Sequence, residues 1–241
     1  TGRPATLLTG VRGRASWSTR WDAGGVALSR ASYVAELRAL APSEWPAYLT
    51  GHSNLPGPRA NLALLDAAAD VLSHDAALTL IESDDEYLAC CGVATLGRLI
   101  LEDPGDAELV ALLTRAATDH RWRVREGAAI AAQRVGDHDA ARLRGFVDAW
   151  SRAPDPLVVR CAIASVCEPR LLSDPQTSRA AIDACQRATD LLVAASPADR
   201  RTDGFRTLRK SLGYCWSVAV AADPERGLPV FLALPTDDRD V

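Results

Sequence analysis

Methionine is missing from this chain of 241 residues, even at the first position, and Lys210 is its only lysine. The first absence suggests a processed or trimmed chain. The second, beside abundant alanine and aspartate, reads as compositional bias rather than a functional choice. No apolar run reaches the roughly 18 residues a membrane-spanning helix needs. The first residues carry arginines but lack the apolar core of a signal peptide. The six cysteines (Cys90, Cys91, Cys161, Cys167, Cys185, Cys215) show no Cys-x-x-Cys spacing. Most sit in helical apolar patterns, which suits buried free thiols and a reducing, cytoplasmic setting. His52, His74, His120 and His138 lack metal-ligand spacing, so no metal is expected. No nucleophile elbow, phosphate loop or dinucleotide fingerprint occurs, so neither a cofactor nor a catalytic residue is assigned.

What is present describes a globular protein: 48% hydrophobic residues, 24% charged, and a mean hydropathy of -0.03. A net charge of -4 with a pI near 5.6 counts against nucleic-acid binding over the whole surface. It leaves room for one basic face on an acidic body.

Residues 1–30 are rich in Gly, Ser and Arg and poor in periodic hydrophobics. They read as a flexible leader, or as an arm that stacks Trp17 and Trp21 on nucleic acid. A helix is predicted at 31–41 with Tyr33, Val34, Leu37 and Leu40 inward, and Pro42–Pro46 starts a shorter one. The loop Gly51–Asn61 holds two prolines around Gly57 and predicts a stiff turn. Its residues His52, Asn54, Arg59 and Asn61 make either a polar rim for a small ligand or peptide, or a rigid corner. In a corner, Asn61 and Arg59 would satisfy backbone groups. The following helix, at about 60–73, carries Leu62, Leu64, Leu65, Ala68 and Val71.

From residue 84 the chain repeats itself at a period of about 35 residues. Aligning Asp84–Ile100, Asp119–Val135 and Pro154–Arg170 gives the apolar columns Ala89/Val124/Val159, Val93/Ala128/Ile163 and Leu96/Ala131/Val166. Second helices at about 106–118 and 139–151 align Leu109 with Leu143, Leu112 with Phe146, Leu113 with Val147 and Ala116 with Trp150. A fourth copy near 204–219 places Leu208, Leu212 and Cys215 in the same columns, with Arg209 in the place of Arg160. An excursion at Pro197–Gly204 precedes it. Asp237–Val241 reads as the start of a further, incomplete repeat. The expected organisation is therefore a leader (1–30), an N-terminal helical cap (31–83) and repeats (84–241) in a single unit. Within the second repeat, Asp119 is expected to cap a helix that Gly136 closes in a left-handed turn.

Paired helices of this period, an acidic turn and then Val-Arg on a small-residue helix resemble HEAT-like repeats. Asp119–Glu126 and Pro154–Arg160 carry the resemblance, over roughly residues 60–241. It implies an all-α, right-handed α-solenoid whose concave face binds a macromolecular partner. More distantly, Trp122-x-Val124-Arg125 followed by Val159-Arg160 is similar to the HEAT-like DNA glycosylases that excise alkylated bases. That likeness implies DNA-contacting arginines at Arg125 and Arg160. The family's catalytic aspartate and aromatic pair have no counterpart in Asp84–Cys91, and Cys161–Ser165 lacks the next tryptophan. The expected function is accordingly a non-catalytic scaffold binding a macromolecular partner, protein or DNA, on its concave face, with a DNA-binding, alkylation-repair-like protein, a diverged glycosylase, as the alternative.

The residues expected to form the site are Trp122, Arg123, Glu126 and the repeat arginines Arg125, Arg160 and Arg209. The arginines would form either a ladder for phosphates or an acidic partner, or ties to acids of the adjacent turn such as Asp119 and Asp155. Trp122 suits stacking on an unpaired base or covering the helix junction, and the junction is the expectation.

Overall fold

The computed structural model describes residues 28–235 together with 238 and 240, and the regular structure among them is all helical. Twelve α-helices follow one another: α1 (Arg30–Ala39), α2 (Trp45–Gly51), α3 (Leu62–Val71), α4 (His74–Ile81), α5 (Glu86–Glu102) and α6 (Ala107–Ala116) come first. Then come α7 (Trp122–His138), α8 (Ala140–Trp150), α9 (Pro156–Val166), α10 (Pro175–Ala194), α11 (Asp203–Ala222) and α12 (Pro224–Leu232). Short 3-10 turns stand at Pro42–Glu44, Leu171–Ser173 and Asp199–Arg201. The expected leader, with Trp17 and Trp21, falls almost wholly outside the described residues, as do residues 237, 239 and 241 of the expected last repeat.

Short polar side chains start these helices. Ser29, Asn61, Ser73, Asp85, Asp106, Asp139, Asp155, Asp174 and Asp223 each accept a hydrogen bond from a backbone N–H of the first turn. Each such cap contributes about 1 kcal/mol. Pro156, Pro175 and Pro224 occupy the first helical position, where a missing N–H costs nothing.

Helices α5, α7, α9 and α11 pack on one another in chain order, while α8, α10 and α12 make a second row against them. Every residue of the three aligned columns is buried, as are Leu208, Leu212 and Cys215. Leu109, Leu143, Leu113, Val147, Ala116 and Trp150 are buried as the alignment requires, with Leu112 and Phe146 half-buried. The N-terminal helices build a second apolar cluster around Leu37, Leu49, Leu64 and Leu65. Helix α5 belongs to both clusters, with Ala89, Val93 and Leu96 on one side and Tyr87, Leu88, Cys91 and Ala94 on the other. A helix buried on all sides must be apolar all round.

Glycines let this central helix approach its neighbours. A Cβ on Gly97 would lie 2.3 Å from the Ala131 carbonyl oxygen, and one on Gly92 would lie 2.6 Å from that of Ala77. The backbones of α5, α4 and α7 therefore meet directly. Gly136 does not close α7 in a left-handed turn as expected; the helix runs through it to His138. Its glycine answers a packing need, because a Cβ there would lie 2.5 Å from Leu143 Cδ2. Three further expectations are corrected. Leu62 is 53% exposed, since as the first residue of α3 it precedes the buried stripe. Helix α4, capped by Ser73, adds to the elements that periodicity predicts. The excursion before the fourth copy is mostly the length of α10, at 20 residues.

Candidate partner-binding edge

The expected site residues lie at the starts of α7, α9 and α11, and the way α7 begins sets their arrangement. Its N-cap is Arg121, which provides no capping side chain. Asp119, expected in that role, instead accepts from the Arg121 backbone N–H at 2.7 Å and from its guanidinium at 2.9 and 3.0 Å. Those bonds from Arg121 hold the Asp119 carboxyl below the usual carboxylate range. The cap comes from the neighbouring helix. Glu86 of α5 accepts from the Arg123 backbone N–H at 3.2 Å and from its Nη1 at 2.9 Å. A carboxylate at a helix start is also favoured by the helix dipole.

This grip fixes Trp122. The Arg123 guanidinium carbon stands 4.8 Å from the centre of the Trp122 ring, a cation–π distance. Trp122 nevertheless remains 51% exposed. It covers the α5–α7 junction only in part, lying over Arg123 with about half of its surface open to solvent. The side chains of Arg123 and Glu86 are 15% and 27% exposed, so the tryptophan rests on a largely desolvated ion pair.

The arginines do not form a continuous ladder. Arg125 donates to the carbonyl oxygens of Asp119 at 2.6 Å and His120 at 3.0 Å, and its Nε is buried without a partner. Burial and the nearby Arg160 lower its pKa. Arg160 pairs with Glu126 of α7 and donates to Ser211 of α11 at 3.3 Å. Arg209 is 54% exposed and pairs with Asp240 at 2.9 Å. The difference follows from the preceding helix. Glu126 awaits Arg160, whereas its counterparts one repeat away, Cys91 and Cys161, offer Arg125 and Arg209 no acid. Asp155, the other acid expected to receive an arginine, caps α9 through the Leu157 N–H.

A cleft of about 240 Å³ lies between the turns before α5 and α7, and Trp122 is not part of its lining. Glu82, Ser83, Asp84, Arg115, His120 and Arg121 line it over an apolar floor that includes Val93 and Val124. The edge is thus of mixed charge. Glu86, which organises it, does not stand out in the sequence; its acid character at a helix start is the only signal.

In the Gly51–Asn61 loop, Asn61 makes the hydrogen bonds of a corner between helices, while His52, Asn54 and Arg59 remain exposed. Asn61 caps α3 at the Leu64 N–H, donates to the Tyr33 hydroxyl at 2.8 Å and to the His52 carbonyl at 3.0 Å, and its own carbonyl accepts from Tyr87. His52 stacks on Tyr48, with ring centres 4.2 Å apart. Asn54 holds a φ of 62°, the left-handed region that asparagine tolerates. Arg59 is exposed and satisfies no backbone group among the described residues, contrary to expectation.

All six cysteines are free and buried, as their apolar spacing implied. Burial pushes the Cys90 thiol up to about 12 and the Cys161 thiol up to about 11, which leaves them inert as nucleophiles. No cluster of metal-ligating side chains occurs among the described residues, and none of their helices is long and apolar enough to cross a membrane. No protein-family model matches the chain, and no curated protein or solved structure matches it.

Proposed function

We propose that this chain is a non-catalytic, HEAT-like repeat scaffold that binds a protein partner through the edge built around Trp122. In this reading the helices α5, α7, α9 and α11 are the inner row of a right-handed α-solenoid. The helices before residue 84 form its N-terminal cap, and the partner lies on the concave face. The observation that carries the reading is the half-exposed Trp122 held on the Glu86–Arg123 pair. Tryptophan and arginine dominate the energetics of protein interfaces when a rigid frame presents them. Arg123 and Arg160 paired with acids, and Arg125 engaged by backbone carbonyls, suit a polypeptide better than a phosphate backbone. The six unpaired thiols support a reducing compartment such as the cytoplasm.

Exposure of Trp122 also favours the second reading, a DNA-binding protein resembling the alkylation-repair glycosylases, in which the ring stacks on a base. Comparative capture with wild-type protein and Trp122→Ala, together with duplex DNA titrations at two salt concentrations, separates the two. The scaffold reading expects a protein retained by wild type and lost by the variant, and no DNA binding at low salt. Binding of duplex DNA with a slope near about -3 in log K against log salt would favour the DNA reading instead. Release of an alkylated base would restore catalysis.

A further inference from the structure

A second cleft, of about 290 Å³, lies between the 3-10 turn Asp199–Arg201 and the first turns of α11. Arg200, Arg201, Arg206 and Arg209 line it with Pro197 and Asp240. Two of these arginines already hold carboxylates of this chain. Arg200 Nη1 donates to both oxygens of Asp238, at 2.9 and 2.8 Å, and to Asp240 at 3.3 Å. Arg209 Nη1 stands 2.9 Å from the other Asp240 oxygen. Arg200 is also fixed from behind. Its Nε donates to the Ala195 carbonyl at 3.1 Å and its Nη2 to that of Val193 at 2.6 Å. The guanidinium is therefore oriented by the backbone whether or not an acid is present.

With Asp199 and Asp203 on the same turns, the four arginines are balanced by four aspartates, and displacement of Asp238 and Asp240 would free two positive charges. Arg206 has only a loose, exposed partner in Asp203 at 3.6 Å, and Arg201 is exposed with no acid paired to it among the described residues. Planar guanidinium groups suit carboxylates, and the bound pair Asp238 and Asp240 fixes the spacing the cleft accepts, two acids separated by one residue.

We propose that this cleft binds an acidic segment of a partner polypeptide, of the form acid-x-acid, which takes the place of Asp238 and Asp240. The chain's own acids then act as a competing intramolecular ligand and set the affinity for the partner. The cleft is separate from the Trp122 edge, and neither assignment depends on the other.

The test uses the full chain and a fluorescent peptide containing Asp-x-Asp, with the Asn-x-Asn peptide as control. Removing the internal competitor raises the competent fraction. The double variant Asp238→Asn/Asp240→Asn is therefore expected to bind the acidic peptide about tenfold or more tightly than wild type. Added salt should weaken that binding, and the control peptide should not bind. Arg201→Ala/Arg206→Ala, which leaves the backbone support of Arg200 intact, should keep the thermal transition and lose much of the affinity. Equal affinity for wild type and the Asp variant, equal binding of the control peptide, or binding of inorganic phosphate without the peptide would each overturn the proposal.

Discussion

The Arg160 guanidinium of α9 reaches back one helix to the Glu126 carboxylate of α7, and its side chain is only 11% exposed there. The same side chain touches α11 through Ser211. One arginine thus ties α7, α9 and α11 together.

Removing its acid should therefore be costly. Glu126→Ala is expected to destabilise the protein by about 1–3 kcal/mol, because a nearly buried charge loses its partner. Arg160→Met, which removes the charge and keeps the bulk, should cost less. Urea denaturation of both variants gives the comparison; a larger loss for Arg160→Met would contradict this account of the pair.

The glycines divide into two kinds with opposite expected responses. Gly97→Ala forces a methyl group against the Ala131 carbonyl and should destabilise by about 1–3 kcal/mol. Gly145 and Gly213 lie inside α8 and α11 with nothing within 4 Å of an added Cβ. Alanine at either should stabilise by about 0.5–1 kcal/mol through helix propensity. Thermal midpoints of the three variants decide it.

At the Trp122 edge, stability and binding should separate. Trp122→Ala is expected to change stability by no more than about 0.5 kcal/mol, as surface positions do. Glu86→Ala removes the cap of α7 and should cost about 1 kcal/mol. Equilibrium denaturation measures both, and a Trp122→Ala loss exceeding that of Glu86→Ala would show the ring to be structural.

Acid should loosen the turn before α7. The Asp119 carboxyl is held below its usual pKa by Arg121, so its stabilising contribution is complete above the unfolded value, about 3.8. That contribution is lost as pH falls through the depressed folded value. Thermal melts of wild type and Asp119→Asn should differ most at pH 5–6 and converge as the pH drops toward 2. A constant offset between them would mean that the charge on Asp119 does not matter.

The six thiols should be silent until the fold opens. In native buffer a disulfide reagent is expected to modify them slowly, and in denaturant all six should react at once. Rapid reaction of any one in the native protein would reveal an opening near it.

The apolar columns are legible in the sequence because burial repeats every helical turn and again about every 35 residues. The acidic turns before the repeat helices are legible too, although the one aspartate expected as a cap, Asp119, does not serve as one. What escapes are relations between helices. Glu86 caps a helix that begins more than 30 residues later, and Asp119, close by in sequence, is the more obvious candidate for that role. Arg209 matches Arg160 by position, but the acid that should receive it is replaced by Cys161. Helix α4, with eight residues, is too short for its period to stand out against the flanking loop.

The glycine seam around α5 has a mechanical consequence. Where backbone rests on backbone there is no cushion of side chains to slide, so α4, α5 and α7 should move as one stiff keel. One repeat later Ala132 and Ala162 stand in the places of Gly97 and Gly127, so the seam of glycines is not continued between α7 and α9. Bending of the helix stack would then fall at that joint, which is also the one Glu126 and Arg160 clasp.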